Sequence, residues 1–305
     1  MSSAQTIRQL VLWAERELTG AGLHFGHGTD NPRDEAVQLV FHAAGLPWDA
    51  PEAELDVPAP PLVRERAVAL VQERIRSRKP AAYLTGEAWF CGLKFKVDER
   101  ALVPRSSIGE LIEQGFEPWI QDPPQHVLDL CTGGGCIAIA CALAFPDAEV
   151  DATELSGAAL ELARDNRARH ALEDRLQLHQ GDLFQGLPPA RYDLIVSNPP
   201  YVGAEEMATL PDEYRHEPRV ALEAPEQGLA LVRRILEQAP DWLAEQGWLV
   251  VEVGNSEALV QQRWPELPLT WPEFERSEGG VFIIGAQDLR AWRNRRAPTT
   301  DHNVG

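Results

Sequence analysis

The stretch from His126 to Ala144 constrains the fold more than any other part of the chain. His126-Val127-Leu128-Asp129-Leu130 reads as a buried strand, Cys131-Thr132-Gly133-Gly134-Gly135 interrupts it, and Cys136–Ala144 continues as an apolar helix. A strand, a glycine loop and a helix in that order predict an α/β layer that binds a nucleotide-like ligand. Glycine lets the backbone approach the ligand closely, and the helix N-terminus is aimed at it. Three further strands repeat the pattern. Glu149-Val150-Asp151-Ala152-Thr153 ends at Glu154, Leu176-Gln177-Leu178-His179 leads to Gly181-Asp182-Leu183, and Tyr192-Asp193-Leu194-Ile195-Val196-Ser197 stops at Asn198-Pro199-Pro200-Tyr201. Ligands of open α/β sheets bind at the carboxyl edge of the strands. The candidate ligand-binding set is therefore Asp129, Cys131, Thr132, Gly133, Gly134, Gly135, Glu154, Asp182, Leu183 and Asn198. Within it Glu154 is positioned to chelate two ribose hydroxyls, and Asp182 to accept from an adenine amino group.

Two cofactors compete for this layout. Gly133-Gly134-Gly135-Cys136-Ile137-Ala138 satisfies the G-x-G-x-x-A fingerprint of nicotinamide enzymes, with Glu154 about where their ribose acid falls. The chain offers no obvious hydride-transfer partner, however. Asp129, Glu154, Asp182 and Asn198 terminate successive strands as in S-adenosylmethionine enzymes, so the sulfonium cofactor is favoured.

The run Asn198-Pro199-Pro200-Tyr201 carries the chemistry and supplies the candidate catalytic residues. An amide nitrogen is a poor nucleophile, because its lone pair is delocalised into the carbonyl. A site that methylates one must hold both N–H groups and point the nitrogen at an electrophilic carbon. Asn198 Oδ1 and the Pro199 carbonyl can accept one hydrogen each, since an NH₂ group offers two donors in one plane. Pro199 and Pro200 narrow the backbone φ values and keep those acceptors in place. Tyr201 offers a flat face for a planar amide or base. Read alone, Asn-Pro-Pro is equally a strand-ending turn; the glycine loop and the strand-end carboxylates favour the chemical reading.

With these motifs in view the chain resembles the class I S-adenosylmethionine-dependent methyltransferases, and within them the protein glutamine methyltransferases of the branch that modifies a ribosomal protein. The resemblance covers about the first 285 residues. Its motifs are Gly26-His27-Gly28-Thr29-Asp30-Asn31-Pro32-Arg33-Asp34-Glu35-Ala36-Val37-Gln38, Trp89-Phe90-Cys91-Gly92, Val97-Asp98-Glu99-Arg100 with Val103-Pro104-Arg105-Ser106, and Glu213-Tyr214-Arg215-His216-Glu217-Pro218. The first and last resemble this branch rather than its sister acting on peptide-release factors. The resemblance implies a Rossmann-like seven-stranded sheet, a small helical N-terminal domain and a linking β-hairpin. It also implies S-adenosylmethionine as cofactor and, as acceptor, a glutamine of the third protein of the large ribosomal subunit. One departure stands out: Cys131 occupies a position that is glycine in the commoner D-x-G-T-G loop, which argues against a positive φ there. N6-adenine methylation of nucleic acid uses a similar tetrapeptide and stays open at this point.

Composition narrows the partners. A net charge of −19 argues against a general DNA binder, which needs clustered Lys and Arg, and suits a basic protein partner; acidity for solubility alone explains it equally well. Cys131, Cys136 and Cys141 match neither C-x-x-C nor a zinc spacing, so they read as buried thiols of a reducing compartment. His24, His27 and His42 lack a completing cluster and read as structural, so no metal is expected. Arg8, Glu15, Arg16 and Glu17 interrupt the apolar positions of the first helix, which is neither signal peptide nor membrane span, and a cytoplasmic location follows.

The expected organisation is a helical substrate-recognition domain over 1–80, a β-hairpin linker over 81–105, the catalytic domain over 106–289 and a disordered tail over 290–305. Helices are expected near 3–20, after the Asn31 cap as far as Gly45, and around Leu62-Arg76, with a proline-rich linker from Pro51 to Pro61. Ala81–Phe90 and Leu93–Val97 read as the hairpin, which together with Pro104-Arg105 could roof the active site. Residues 204–225 read as a long loop. Leu269-Thr270-Trp271 and Val281–Ile284 read as a closing antiparallel pair.

Overall fold

Contacts divide the chain into two units: residues through Trp89 with Lys94–Arg105 and Leu210–Pro218, and Phe90–Leu93 with Ser106–Thr209 and the chain from Arg219. The computed structural model describes residues 6–277 and 279–296. The first unit takes in most of each hairpin strand, without Phe90 and Leu93, and a segment far along the sequence.

In the first unit, helix α1 (Ile7–Gly20) opens on a reciprocal cap between Thr6 and Gln9, and it buries Ile7, Leu10, Val11, Ala14 and Leu18. Helix α2 (Pro32–Ala44) starts where expected. Asn31 Oδ1 accepts from the Asp34 N–H at 2.9 Å, and Gly45 ends the helix in the left-handed region at φ 68°. The stretch expected as a linker contains a short helix, α3 (Glu52–Leu55), and Thr6 bridges Pro58. Helix α4 (Pro61–Ser77) follows. Ala81–Thr85, expected as strand, is a helical turn, α5: Pro80 precedes it, alanines favour helix, and Gly86 closes it at φ 70°. The hairpin is correspondingly shorter, β1 (Glu87–Phe90) and β2 (Leu93–Lys96). Cys91 and Gly92 link the strands at φ 48° and 69°, the two positive values of a type I′ turn.

The second unit contains α6 (Ile108–Glu113), β3 (His126–Leu130), α7 (Cys136–Ala144), β4 (Glu149–Glu154), α8 (Gly157–Arg169), β5 (Leu176–Gln180) and β6 (Tyr192–Ser197), then α9 (Ala204–Met207) and α10 (Ala230–Gln238), then β7 (Leu243–Glu252), α11 (Glu257–Arg263), β8 (Val281–Gly285) and α12 (Ala286–Arg296). The sheet runs β5-β4-β3-β6-β7-β8, with β8 antiparallel to β7 and the other pairs parallel. The order reverses between β3 and β6, and at such a switch point the helices leave opposite faces and open a crevice at the carboxyl ends. The fold is α/β, an open, mostly parallel sheet.

Three expectations are corrected here. Among the described residues six strands form the sheet rather than seven, and Leu269-Thr270-Trp271 contributes a single bridge, Thr270 to Ile283. Pro268 and Pro272 flank it, and proline cannot donate to a ladder. The tail expected from residue 290 is helical as far as Arg296. Leu289 and Trp292 are buried on one helix face, and Arg290 donates to the carbonyls of Pro240 at 3.2 Å and Leu243 at 2.6 Å. The remainder of that tail lies outside the described residues. Between 204 and 225 the chain is ordered as α9 and two 3-10 turns, Asp212–His216 and Arg219–Ala221. Among the described residues no helix is long and apolar enough to cross a membrane.

Candidate active site

The glycine loop is held from within by Asp129. This side chain is fully buried, and its Oδ2 accepts from Thr132 Oγ1 at 2.5 Å and from the Ala138 N–H at 3.1 Å. Oδ1 has no hydrogen-bond partner among the described residues. Burial raises the Asp129 carboxyl to about 7, against the pull of the Thr132 and Ala138 hydrogen bonds. Its carboxylate thus supports the loop and the start of α7, and any influence on a ligand passes through the loop backbone. Asn166 on α8 adds a second tie that the sequence did not reveal, donating from Nδ2 to the Gly134 carbonyl at 2.9 Å. Cys131 takes φ 60° despite its Cβ, so the positive φ argued against on sequence grounds is present. Gly133 and Gly135 follow at 56° and 85°. At Gly135 a Cβ would stand 3.3 Å from the Ala163 Cβ, so glycine there also lets α8 pack closely.

Glu154 closes β4 with both oxygens anchored. Oε2 accepts from the Gly133 N–H at 2.9 Å and Oε1 from the Ser156 N–H at 2.8 Å. A carboxylate has about four lone-pair positions, so two remain for a vicinal diol. Asp182 is half-exposed and already paired, accepting from Arg234 Nη2 at 2.9 Å. Leu183 is buried in the core at φ 55°, so only its backbone can serve a ligand.

At the end of β6, Ser197 Oγ donates to the Leu130 carbonyl at 2.9 Å, tying the two strands of the switch point just before Asn198. Pro199 is buried, while Asn198, Pro200 and Tyr201 are partly exposed. The chain leaves this corner through a parallel bridge, with the Val202 N–H donating to the Leu222 carbonyl at 2.8 Å and the Ala224 N–H to the Val202 carbonyl at 3.0 Å. Tyr201 lies against Gly254: a Cβ there would come within 2.6 Å of the ring. Asn198 Nδ2 donates to Glu252 Oε1 at 3.2 Å. Glu252 is absent from the residues expected on sequence grounds. It ends the apolar run Leu249-Val250-Val251 as Asn198 ends its own strand, so the same signal was available.

The two motifs read as specific to one branch meet within the first unit. Glu213 accepts from the His24 N–H at 3.0 Å and lies 2.9 Å from Arg78 Nη2 and 3.5 Å from Arg74 Nη1. Arg74 is fully buried and donates to Glu35 Oε1 at 2.6 Å. Glu217 takes both Nη atoms of Arg105, each at 2.6 Å, and the Val103 N–H at 3.0 Å. Burial would raise the Glu217 carboxyl, but Arg105 and then His27 overcome it and bring it to about 2. His27 lies against Tyr214 with ring centroids 4.5 Å apart and the planes tilted at 57°, and burial lowers its pKa. Its Nε2 is 3.5 Å from Glu217 Oε2, beyond a good hydrogen bond. Among the described residues no three His, Cys, Asp or Glu side chains are grouped to hold a metal ion.

Residues 117–212 match the methyltransferase small domain. The chain is 47% identical over 287 residues to the ribosomal protein uL3 glutamine methyltransferase of Bordetella pertussis, covering 93% of this chain and 96% of that one. It is 48% identical over 296 residues to the protein of the same name from Burkholderia pseudomallei, with 94% and 96% covered. A methyltransferase structure from Pyrococcus furiosus aligns at 23% identity with a TM-score of 0.47, over 70% of this chain and 97% of that one. With nearly half of all positions identical along almost the whole of both curated relatives, the chain belongs to the ribosomal protein uL3 glutamine methyltransferase family.

Proposed function

We propose that this protein transfers a methyl group from S-adenosylmethionine to the side-chain amide nitrogen of a glutamine in ribosomal protein uL3. The observation that carries the reading is Asn198-Pro199-Pro200-Tyr201 at the carboxyl end of β6, beside the switch point, with the Asn198 amide held by a carboxylate. Asn198 Oδ1 and the Pro199 carbonyl accept the two N–H groups of the substrate amide, and Tyr201 flanks its plane.

The residues present fit the cofactor. Glu154 retains acceptor capacity for a ribose diol, the loop Cys131–Gly135 brings bare backbone to the sheet edge, and Asp182 with the Leu183 backbone is available to an adenine. When bound, S-adenosylmethionine supplies an already activated methyl carbon. The protein's own share is therefore orientation and exclusion of water rather than a strong base. The methylated nitrogen is positively charged and sheds its proton readily, so no residue is assigned as base. Substrate choice lies outside a tetrapeptide that recognises only a generic amide, and the first unit is the surface proposed for it. The acceptor is a basic protein, free or in an assembly intermediate, which the net charge of −19 favours, and the reaction belongs in the cytoplasm.

Purified protein, methyl-labelled cofactor and uL3 should yield a single labelled glutamine by mass spectrometry, and duplex DNA should take up no label. Asn198→Ala should slow single-turnover transfer by about a hundredfold or more, by analogy with losing one preorganised polar group. Glu154→Ala should instead weaken cofactor binding in calorimetry with the fold intact. Labelled DNA, or an Asn198→Ala rate within a few-fold of wild type, would refute the assignment.

A further inference from the structure

Glu252 closes β7 as Asn198 closes β6. The strands are parallel neighbours with Ser197 opposite Val251, so the next residue of each, Asn198 and Glu252, stand side by side at the carboxyl edge. Glu252 is only 6% exposed. Its Oε2 accepts from Ser106 Oγ at 2.5 Å and from the Ser107 N–H at 3.0 Å, and its Oε1 from Asn198 Nδ2 at 3.2 Å, with the Tyr201 hydroxyl 3.5 Å away. The carboxylate is thus fixed from one side by the segment that opens α6 and turned on the other toward the proposed catalytic run.

This arrangement decides the polarity of the Asn198 amide. Ser106 Oγ and the Ser107 N–H engage Oε2, so Oε1 faces the amide as an acceptor, and the amide presents Nδ2 to it and turns Oδ1 away. The opposite orientation would set Oδ1 against a carboxylate oxygen and leave Nδ2, a donor, to meet the donor NH₂ of a substrate amide. Nothing in asparagine itself distinguishes the two, because its ends are nearly identical in shape and rotation about χ2 exchanges them.

We propose that Glu252 is a positioning residue for methyl transfer: by holding Nδ2 of Asn198, it presents Oδ1 as the acceptor for the substrate N–H. The proposal rests on the reading of Asn198 given above. Ser106 and Ser107 serve the same end by immobilising the carboxylate. The Ser106 hydroxyl gives a use to the serine that follows Val103-Pro104-Arg105, while position 107 contributes its backbone N–H. An aspartate at 198 keeps an acceptor for one substrate N–H. Facing Glu252, it brings two carboxylates together and loses that advantage.

The test is a mutant cycle read by single-turnover transfer to uL3 at saturating cofactor, with calorimetric cofactor affinity as the control for folding. Glu252→Gln should lower the rate about tenfold or more, equivalent to about 1.4 kcal/mol, with cofactor affinity and the KM for uL3 within about twofold. Asn198→Asp should fall to the level of Asn198→Ala or below it. The double variant Asn198→Asp/Glu252→Gln restores a donor opposite an acceptor, with the second acceptor facing the substrate. It should recover about tenfold or more over Asn198→Asp alone. A Glu252→Gln rate within twofold of wild type, or singles that simply multiply in the double, would overturn the proposal while an inactive Asn198→Ala leaves the Asn198 reading standing. An Asn198→Ala rate close to wild type would remove both. If Glu252→Gln does not fold, Asn198→Asp alone decides: activity within a few-fold of wild type shows that no carboxylate opposes it, and Glu252 then has no positioning role.

Discussion

Both units bury carboxylates, and they hold them by opposite means. In the first, Glu213 and Glu217 are matched with guanidinium groups from Arg74, Arg78 and Arg105. In the second, Asp129 and Glu252 are held by the hydroxyls of Thr132 and Ser106, the Asn198 amide and the backbone N–H groups of Ala138 and Ser107. The consequence appears at the two extremes. Glu217, with bidentate Arg105, sits near 2, and Asp129, with neutral donors only, near 7. Burial opposes ionisation in both cases, and a full positive charge at hydrogen-bonding distance is what reverses it. Glu35 refines the rule. Burial outweighs Arg74, which it shares with Glu213, and its pKa is raised. Glu213, the other carboxylate on Arg74, has its pKa lowered despite burial, because the His24 N–H and Arg78 add to Arg74. The first unit spends its buried charge on packing one segment against another; the second keeps carboxylates that orient neighbouring groups.

The largest test of this contrast is Arg74→Ala. It strands Glu35 and weakens the hold on Glu213, and removing one partner of a buried pair costs about 3–5 kcal/mol. Chemical denaturation should show that loss, and a cost below about 1 kcal/mol would break the contrast. The second test is the sign of the pH dependence. Asp129 is raised from 3.8 to about 7 in the folded state, so the folded protein holds a proton the unfolded chain has released. Its contribution is complete below pH 4 and declines as pH rises toward 7, by at most about 1.4 kcal/mol per pH unit. Glu217 acts with the opposite sign, its contribution present above its unfolded value and lost as pH falls toward 2. Asp129→Asn should therefore flatten the decline between pH 5 and 7 in thermal or denaturant unfolding, and an unchanged slope would remove Asp129 as its source. The smallest effect separates strain from charge. Cys131 and Arg78 both adopt the left-handed region, at φ 60° and 58°. Cys131→Gly relieves backbone strain but removes a thiol packed against the core, so the net change should stay within about 1 kcal/mol of zero. Arg78→Gly gains the same relief but leaves Glu213 without its 2.9 Å partner, and should be net destabilising. Equal shifts at the two sites would show that the ion pair contributes nothing.

Much of the second unit was legible because its signals are local. A strand interrupted by glycines, or stopped by two prolines, announces itself over a handful of residues, and Asp129, Glu154 and Asn198 stand at the strand ends the pattern implied. The failures share one physical cause. Ala81–Thr85 was misread because a short apolar run fits strand and helix alike, and the caps at Pro80 and Gly86 decide between them. Arg290–Arg296 looked like a charged tail because its anchors, Leu289 and Trp292, gain their energy from surface elsewhere in the chain.

The sequence by itself determined the α/β class, the succession of strands along the chain, the glycine loop and the residue types at the carboxyl edge, since all follow from periodicity and backbone restriction within short windows. Only the tertiary structure decided which groups those residues answer to. The pairing of Glu213 and Glu217 with arginines more than a hundred positions earlier, the burial that raises Asp129, and the carboxylate of Glu252 against Asn198 each join segments distant in the chain. Hydrogen bonds and desolvation act over a few ångströms of space, and distance along the sequence carries no record of them.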